Sequence, residues 1–124
     1  MKASCPGEFI HMIIVELSTL KDGKVIMFIS VDNFSRYCFS NAVTSPLTFE
    51  KLTNHLDSII DDLKKHHAAL MPLFIMGYAQ DMQFKLELRY KGRAHFQFSE
   101  TLAEEIAQPV ARDLLNHLNR RHNN

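Results

Sequence analysis

Val31-Asp32-Asn33-Phe34-Ser35-Arg36-Tyr37 separates two apolar runs. Asp, Asn and Ser side chains bond their own backbone a few residues on, so Asp32 to Ser35 turns the chain. Upstream, Val25 to Val31 reads as an apolar strand. Downstream, Tyr37, Phe39 and Val43 favour a strand over Arg36 to Val43. Before both, Phe9 to Leu17 is rich in Ile and Val and reads as a buried strand. The turn signal Lys21-Asp22-Gly23-Lys24 closes it. Tight turns between successive strands imply an antiparallel three-stranded meander.

The pattern then changes period. Ser45 or Thr48 can cap a helix, and Phe49, Leu52, Leu56, Ile59, Ile60 and Leu63 fall at spacings of three and four. That stripe predicts a helix from Thr48 to His67, with Asp57, Asp61, Asp62, Lys64 and Lys65 on its other face. Leu70 to Met76 reads as a fourth strand and Met82 to Tyr90 as a short helix stopped by Gly92. Ala94 to Phe98 reads as the last strand. Ser99 or Thr101 caps a helical turn through Ile106, and Pro109 opens a separate final helix carrying Val110, Leu114, Leu115 and Leu118. The expected class is α/β, one domain over residues 1–124 with a mixed sheet.

Composition narrows the function classes. Lys plus Arg and Asp plus Glu both number 14, so any nucleic-acid surface must be local. The longest apolar runs are too short to cross a bilayer, and no membrane association is expected. Met1 to Met12 has a Lys but no long apolar run behind it, so no signal peptide is expected. Cys5 and Cys38 lack metal-type spacing and suit a reducing compartment; the expected location is cytoplasmic. Seven His raise a metal reading, but adjacent His66 and His67 do not share a helix face and suit a helix C-terminus. His11, on a strand, reads as a packed histidine. No Gly-rich phosphate loop occurs among four glycines.

Several segments together resemble the catalytic core of transposases and retroviral-type integrases. Pro6-Gly7-Glu8-Phe9-Ile10-His11-Met12 resembles the entry to the first core strand. Val31 to Tyr37 resembles the hairpin between the second and third strands and is the most specific piece. Leu73 to Phe84 resembles the strand and loop of the second catalytic Asp, and Gln108 to Leu118 the helix of the catalytic Glu. The resemblance implies a ribonuclease-H-like sheet. It also implies three carboxylates converging on two Mg²⁺ or Mn²⁺ ions, which activate a hydroxyl and stabilise phosphodiester displacement.

The residues at those three positions are not acids. The first falls on Ile13, the second on Ala79 within Tyr78-Ala79-Gln80-Asp81-Met82-Gln83-Phe84, and the third on Ala111 within Val110-Ala111-Arg112. The separation from Ala79 to Ala111 is close to that of the family, which supports the register. Displaced-acid candidates are Glu16, Asp81, Glu104 and Glu105. Glu16 is three residues from Ile13, and strand alternation sends the two to opposite faces.

The expected function is that of a catalytically degenerate integrase or transposase core, related to DNA recombination, without cofactor. DNA contact, if present, falls to Lys85, Arg89, Lys91 and Arg93, and to Arg112, Arg120 and Arg121; the simpler reading is dipole complementation and solubility. Apolar positions beyond one sheet's needs on the two long helices point to a homodimer. The rival is an active polynucleotidyl transferase using Mg²⁺ or Mn²⁺ on relocated acids. A third reading is a protein-interaction module on the same scaffold. A fragment of a longer transposase and a free-standing relic are both compatible with this reading.

Overall fold

The first two runs are almost continuously apolar and buried over much of their length, and each of the first three runs pairs with the next. The computed structural model describes residues 1–66 and 71–123, with side chains described as far as Leu118. Strands β1 (Phe9–Thr19), β2 (Gly23–Asp32) and β3 (Cys38–Thr44) form the expected antiparallel meander, Ile13 opposite Ile29 and Ser30 opposite Phe39. The first turn needs a left-handed residue, and Gly23 supplies it at φ +69°. Helix α1 (Phe49–Lys65) follows, its Thr48 hydroxyl accepting from the Lys51 amide. Strand β4 (Leu73–Met76) then runs parallel to β1, and β5 (His95–Phe98) parallel to β4. Between them lie a 3-10 turn, Gln80–Met82, and helix α2 (Gln83–Arg89). The chain finishes in α3 (Glu100–Asn123).

The result is a mixed five-stranded open sheet ordered β3-β2-β1-β4-β5. Helices α1 and α2 cover one face. There Leu52, Leu56, Ile59, Ile60, Leu63, Leu86 and Tyr90 pack with Ile10, Met12, Phe28, Phe74 and Met76. Helix α3 covers the other, where Ala103, Ala107 and Ala111 pack with Ile13, Ile29, Val31 and Ile75. Leu52, Leu56 and Ile59 are wholly buried. Each such side chain is worth about 1.5–3 kcal/mol relative to exposure, so the α1 stripe is a major holder of this face. Among the described residues no helix is long and apolar enough to cross a membrane.

Three expectations shift. The fourth strand starts at Leu73 rather than Leu70, because Pro72 lacks the amide a ladder needs; Leu70 and His67 lie outside the described residues. The segment Met82 to Tyr90 divides into the 3-10 turn and α2, with Tyr90 as the residue after the last turn. Pro109 does not open a separate helix: it sits inside a continuous α3. Ala103, Ala107 and Ala111 recur every four residues and are fully buried, while Pro109 faces outward. Packing of that stripe outweighs the roughly 3 kcal/mol an interior proline costs. Close approach also marks Gly77, where an added Cβ would come within 3.2 Å of the Ala103 Cβ.

The stripe on α1 is consumed within the chain, which removes that helix from the surplus apolar surface. Exposed apolar side chains gather elsewhere, with Phe84 at 78% and Leu88 at 67% on α2 and Leu118 at 37% near the end of α3.

Candidate functional site

Ile13 stands near the middle of β1, and its neighbours on the same face are Ile29, Val31 and Ile75. Small residues on α3 let the helix come close, so the seam between helix and sheet is apolar. Ile13 is 6% exposed and Ala111 is fully buried in the same cluster. Two of the three positions aligned with family acids are thus brought together. Ala79 is not in that group. It follows β4 in a left-handed conformation (φ 61°, ψ 31°) and packs with Tyr78 against the cluster under α1.

The displaced acids do not converge either. Phe9, Ile13 and Val15 face α3, so by alternation Glu16 belongs with Ile10, Met12 and Ile14 on the α1 side. Glu104 and Glu105 are exposed on α3, which covers the opposite face. Asp81 is exposed in the 3-10 turn. Among the described residues no three His, Cys, Asp or Glu side chains are grouped so as to hold a metal ion.

The turn Asp32 to Arg36 serves as a clamp. One Asp32 carboxylate oxygen accepts from the Gly7 amide at 2.9 Å; the other accepts from the Ser35 amide and hydroxyl at 3.0 and 2.6 Å. The Asn33 Oδ1 accepts from the Ala3 amide at 2.9 Å, while its Nδ2 donates to His11 Nε2 at 2.9 Å. His11 Nδ1 in turn donates to the Leu102 carbonyl at 2.7 Å. Arg36 closes the turn at φ 65° and donates to the Asn33 carbonyl. The segment most like the family therefore ties the N-terminal segment, β1 and α3 into one unit. Donor on one side and acceptor on the other keep the His11 imidazole neutral, and burial lowers its pKa.

A second buried network escaped the sequence reading. Ser30, in the middle of β2, donates to His55 Nε2 at 2.7 Å, and His55 Nδ1 donates to Asn41 Oδ1 at 2.5 Å. The imidazole stacks on Phe28, ring centres 4.6 Å apart and planes at 13°. Burial pushes the His55 pKa down to about 4. The order Ser, His, Asn resembles a nucleophile relay, but Ser30 is fully buried, so no substrate reaches its oxygen. The network fastens β3, β2 and α1 together. A serine within an apolar strand and a histidine beside an apolar helical stripe were the available signals.

Basic residues form two groups rather than one surface. Arg89 lies 3.2 Å from Asp57, and the guanidinium groups of Arg89 and Arg93 stand 5.6 and 4.9 Å from the Tyr90 ring centre. Lys85 approaches the Phe49 ring at 5.7 Å. The Tyr90 hydroxyl donates to Asp57 at 2.7 Å, and burial raises its pKa to about 12. Lys85 and Arg89 thus help dock α2 on α1, Arg93 folds back on Tyr90 and the Arg89 carbonyl at the end of α2, and Lys91 is exposed beside them. Arg112 is exposed on α3, across the sheet. The side chains of Arg120 and Arg121 lie outside the described residues. Cys5 and Cys38 are free thiols, and burial raises the pKa of Cys38.

No family model matches the chain. No curated protein matches it either. Among solved structures it is similar, over 100% of its length, to a chain of a simian T-cell lymphotropic virus intasome in complex with PP2A regulatory subunit B56 gamma, determined by cryo-electron microscopy. The TM-score is 0.73 at 12% identity. The match spans 45% of that chain, so this sequence corresponds to less than half of it. At that identity the likeness is one of fold.

Proposed function

We propose that the chain is an integrase-like domain of the ribonuclease-H-like class that has lost strand-transfer chemistry and acts by binding. One observation carries the reading: on a fold like that of an intasome chain, Ile13 and Ala111 occupy a closed apolar seam where the family resemblance puts acids. Divalent metal chemistry on phosphodiesters needs converging hard oxygen ligands, and this seam offers hydrocarbon. Ala79, packed on the other side, supplies no third ligand.

Assembly of two copies is part of the proposal, with exposed Phe84 and Leu88 as the apolar surface to be covered. DNA contact through Lys91 and Arg112 is at most weak and salt-dependent, because these cations lie on different faces and their neighbours are occupied. The deciding experiment incubates the protein with a labelled DNA duplex and Mg²⁺ or Mn²⁺. No nicking and no strand transfer are expected. Turnover abolished by Asp81→Ala or Glu16→Ala would overturn the proposal in favour of relocated acids. Sedimentation at micromolar concentration tests the dimer, and a strictly monomeric mass removes it.

A further inference from the structure

Strand β3 is an edge of the sheet, with one side unpaired. The Asp32 amide donates to the Tyr37 carbonyl and the Ser45 amide to the Lys24 carbonyl, both at the ends of the β2–β3 register. Antiparallel pairs alternate between bonded and non-bonded, so odd-numbered residues of β3 bond to β2. Cys38, Ser40, Ala42 and Thr44 therefore turn their main-chain groups outward. Ser40 and Ala42 are exposed. Protected edges carry charges, prolines or bulges. The sequence Cys38 to Thr44 has no charge and no Pro, and its register with β2 is unbroken.

Beside that edge runs a groove of about 490 Å³, floored by Phe39, Asn41 and Val43 of β3 and walled by Lys51, Asn54 and Ser58 of α1. The Lys51 ammonium is held at one end by the Thr44 and Pro46 carbonyls. It has no carboxylate partner among the described residues, and no acidic side chain lines the groove. An edge strand next to a helix-walled groove is the arrangement by which extended peptides add to a sheet.

We propose that β3 and α1 form a docking site for an extended segment of a partner protein, which adds as a sixth strand and places an acidic side chain in the groove near Lys51. Main-chain bonds to Ser40 and Ala42 supply the pairing, and the unneutralised ammonium selects the side chain. A second copy of this chain is the weaker occupant. Seven paired residues bury far less than the roughly 1,200 Å² or more a stable dimer needs. The site lies apart from the α3 seam and does not depend on the chemistry lost there.

The test uses the full chain and two synthetic peptides, acetyl-TVEVTV-amide and acetyl-TVKVTV-amide. Binding is followed by fluorescence anisotropy and by amide exchange at Ser40 and Ala42. The acidic peptide is expected to bind more tightly than the basic one and to slow exchange at both amides. Ala42→Pro removes an outward amide without touching the bonds to β2, and should weaken binding at least tenfold with an unchanged melting curve. Lys51→Glu should invert the preference between the peptides, and it stands as the test should Ala42→Pro fail to fold. The proposal is overturned by no binding of either peptide at millimolar concentration, by binding that leaves both amides unprotected, or by equal affinity of the two peptides. Self-association in which Ser40 and Ala42 become protected without peptide also overturns it, in favour of a second copy.

Discussion

Lowering the pH should loosen this protein through His55. In the folded chain its imidazole is neutral, holding Ser30 and Asn41, with its pKa pushed by burial to about 4 from an ordinary 6.5. The unfolded chain therefore binds the proton first as pH falls. Because the folded pKa is depressed, the contribution to stability is complete above 6.5, declines as pH falls from 6.5 towards 4, and changes no further below. A shift of about 2.5 units is worth about 3 kcal/mol in full, of which about 2 kcal/mol is lost by pH 5. The assay is urea denaturation of the native chain and of His55→Gln at pH 8 and pH 5. Glutamine keeps a neutral donor and acceptor but cannot titrate, and His11 contributes equally to both proteins. The variant should be the less stable at pH 8, and the gap should narrow by about 2 kcal/mol at pH 5. A gap that stays constant between the two pH values would refute the buried neutral imidazole.

Two substitutions probe the other buried features. Ile13→Asp removes a packed side chain and places a carboxylate among Ile29, Val31, Ile75 and Ala111; a loss on the order of 4 kcal/mol at pH 7 is expected from denaturation, easing at pH 4 where the acid is neutral. A loss under about 1 kcal/mol would mean that the seam is open to water. Asn33→Asp replaces the amide that donates to His11 with an acceptor, so the imidazole should take a proton and its pKa should rise above the ordinary value. Histidine titration by NMR reads this directly, and a His11 that still titrates below 6.5 in the variant would break the assigned clamp.

The sequence made the meander legible because its signals were local. Gly23, Asp32 and Ser35 mark turns, and β-branched runs fill the strands between them. Helix α1 was legible for the same reason, with an unbroken stripe and Thr48 as cap. Pro109 misled because local geometry favours a helix start, whereas packing of Ala103, Ala107 and Ala111 decides for continuity. Motif and spacing put Ile13, Ala79 and Ala111 at one site, but only Ile13 and Ala111 share the cluster under α3. Ala79 falls outside that group, because the left-handed turn after β4 that sends it to the α1 side is a property of backbone and packing. His55, Ser30 and Asn41 stayed hidden because a network is defined by register across strands, and no spacing along the chain announces it.

Burial and charge compete at the α3 seam. Carboxylates at the positions of Ile13 and Ala111 would repel one another without a metal, would need water or cations between helix and sheet, and would hold α3 away. Ile13 with Ala103, Ala107 and Ala111 does the reverse: it removes the charge and lets α3 close on β1 and β2. The clamp at Asp32 and Asn33 joins α3 to the N-terminal segment through His11 and Leu102. The clamp fixes the scaffold, and the apolar seam beside it excludes water. The closed seam adds cohesion to the middle of the fold. The chain's unprotected groups then lie at the periphery, above all along the edge of β3, and binding there asks nothing of the closed seam.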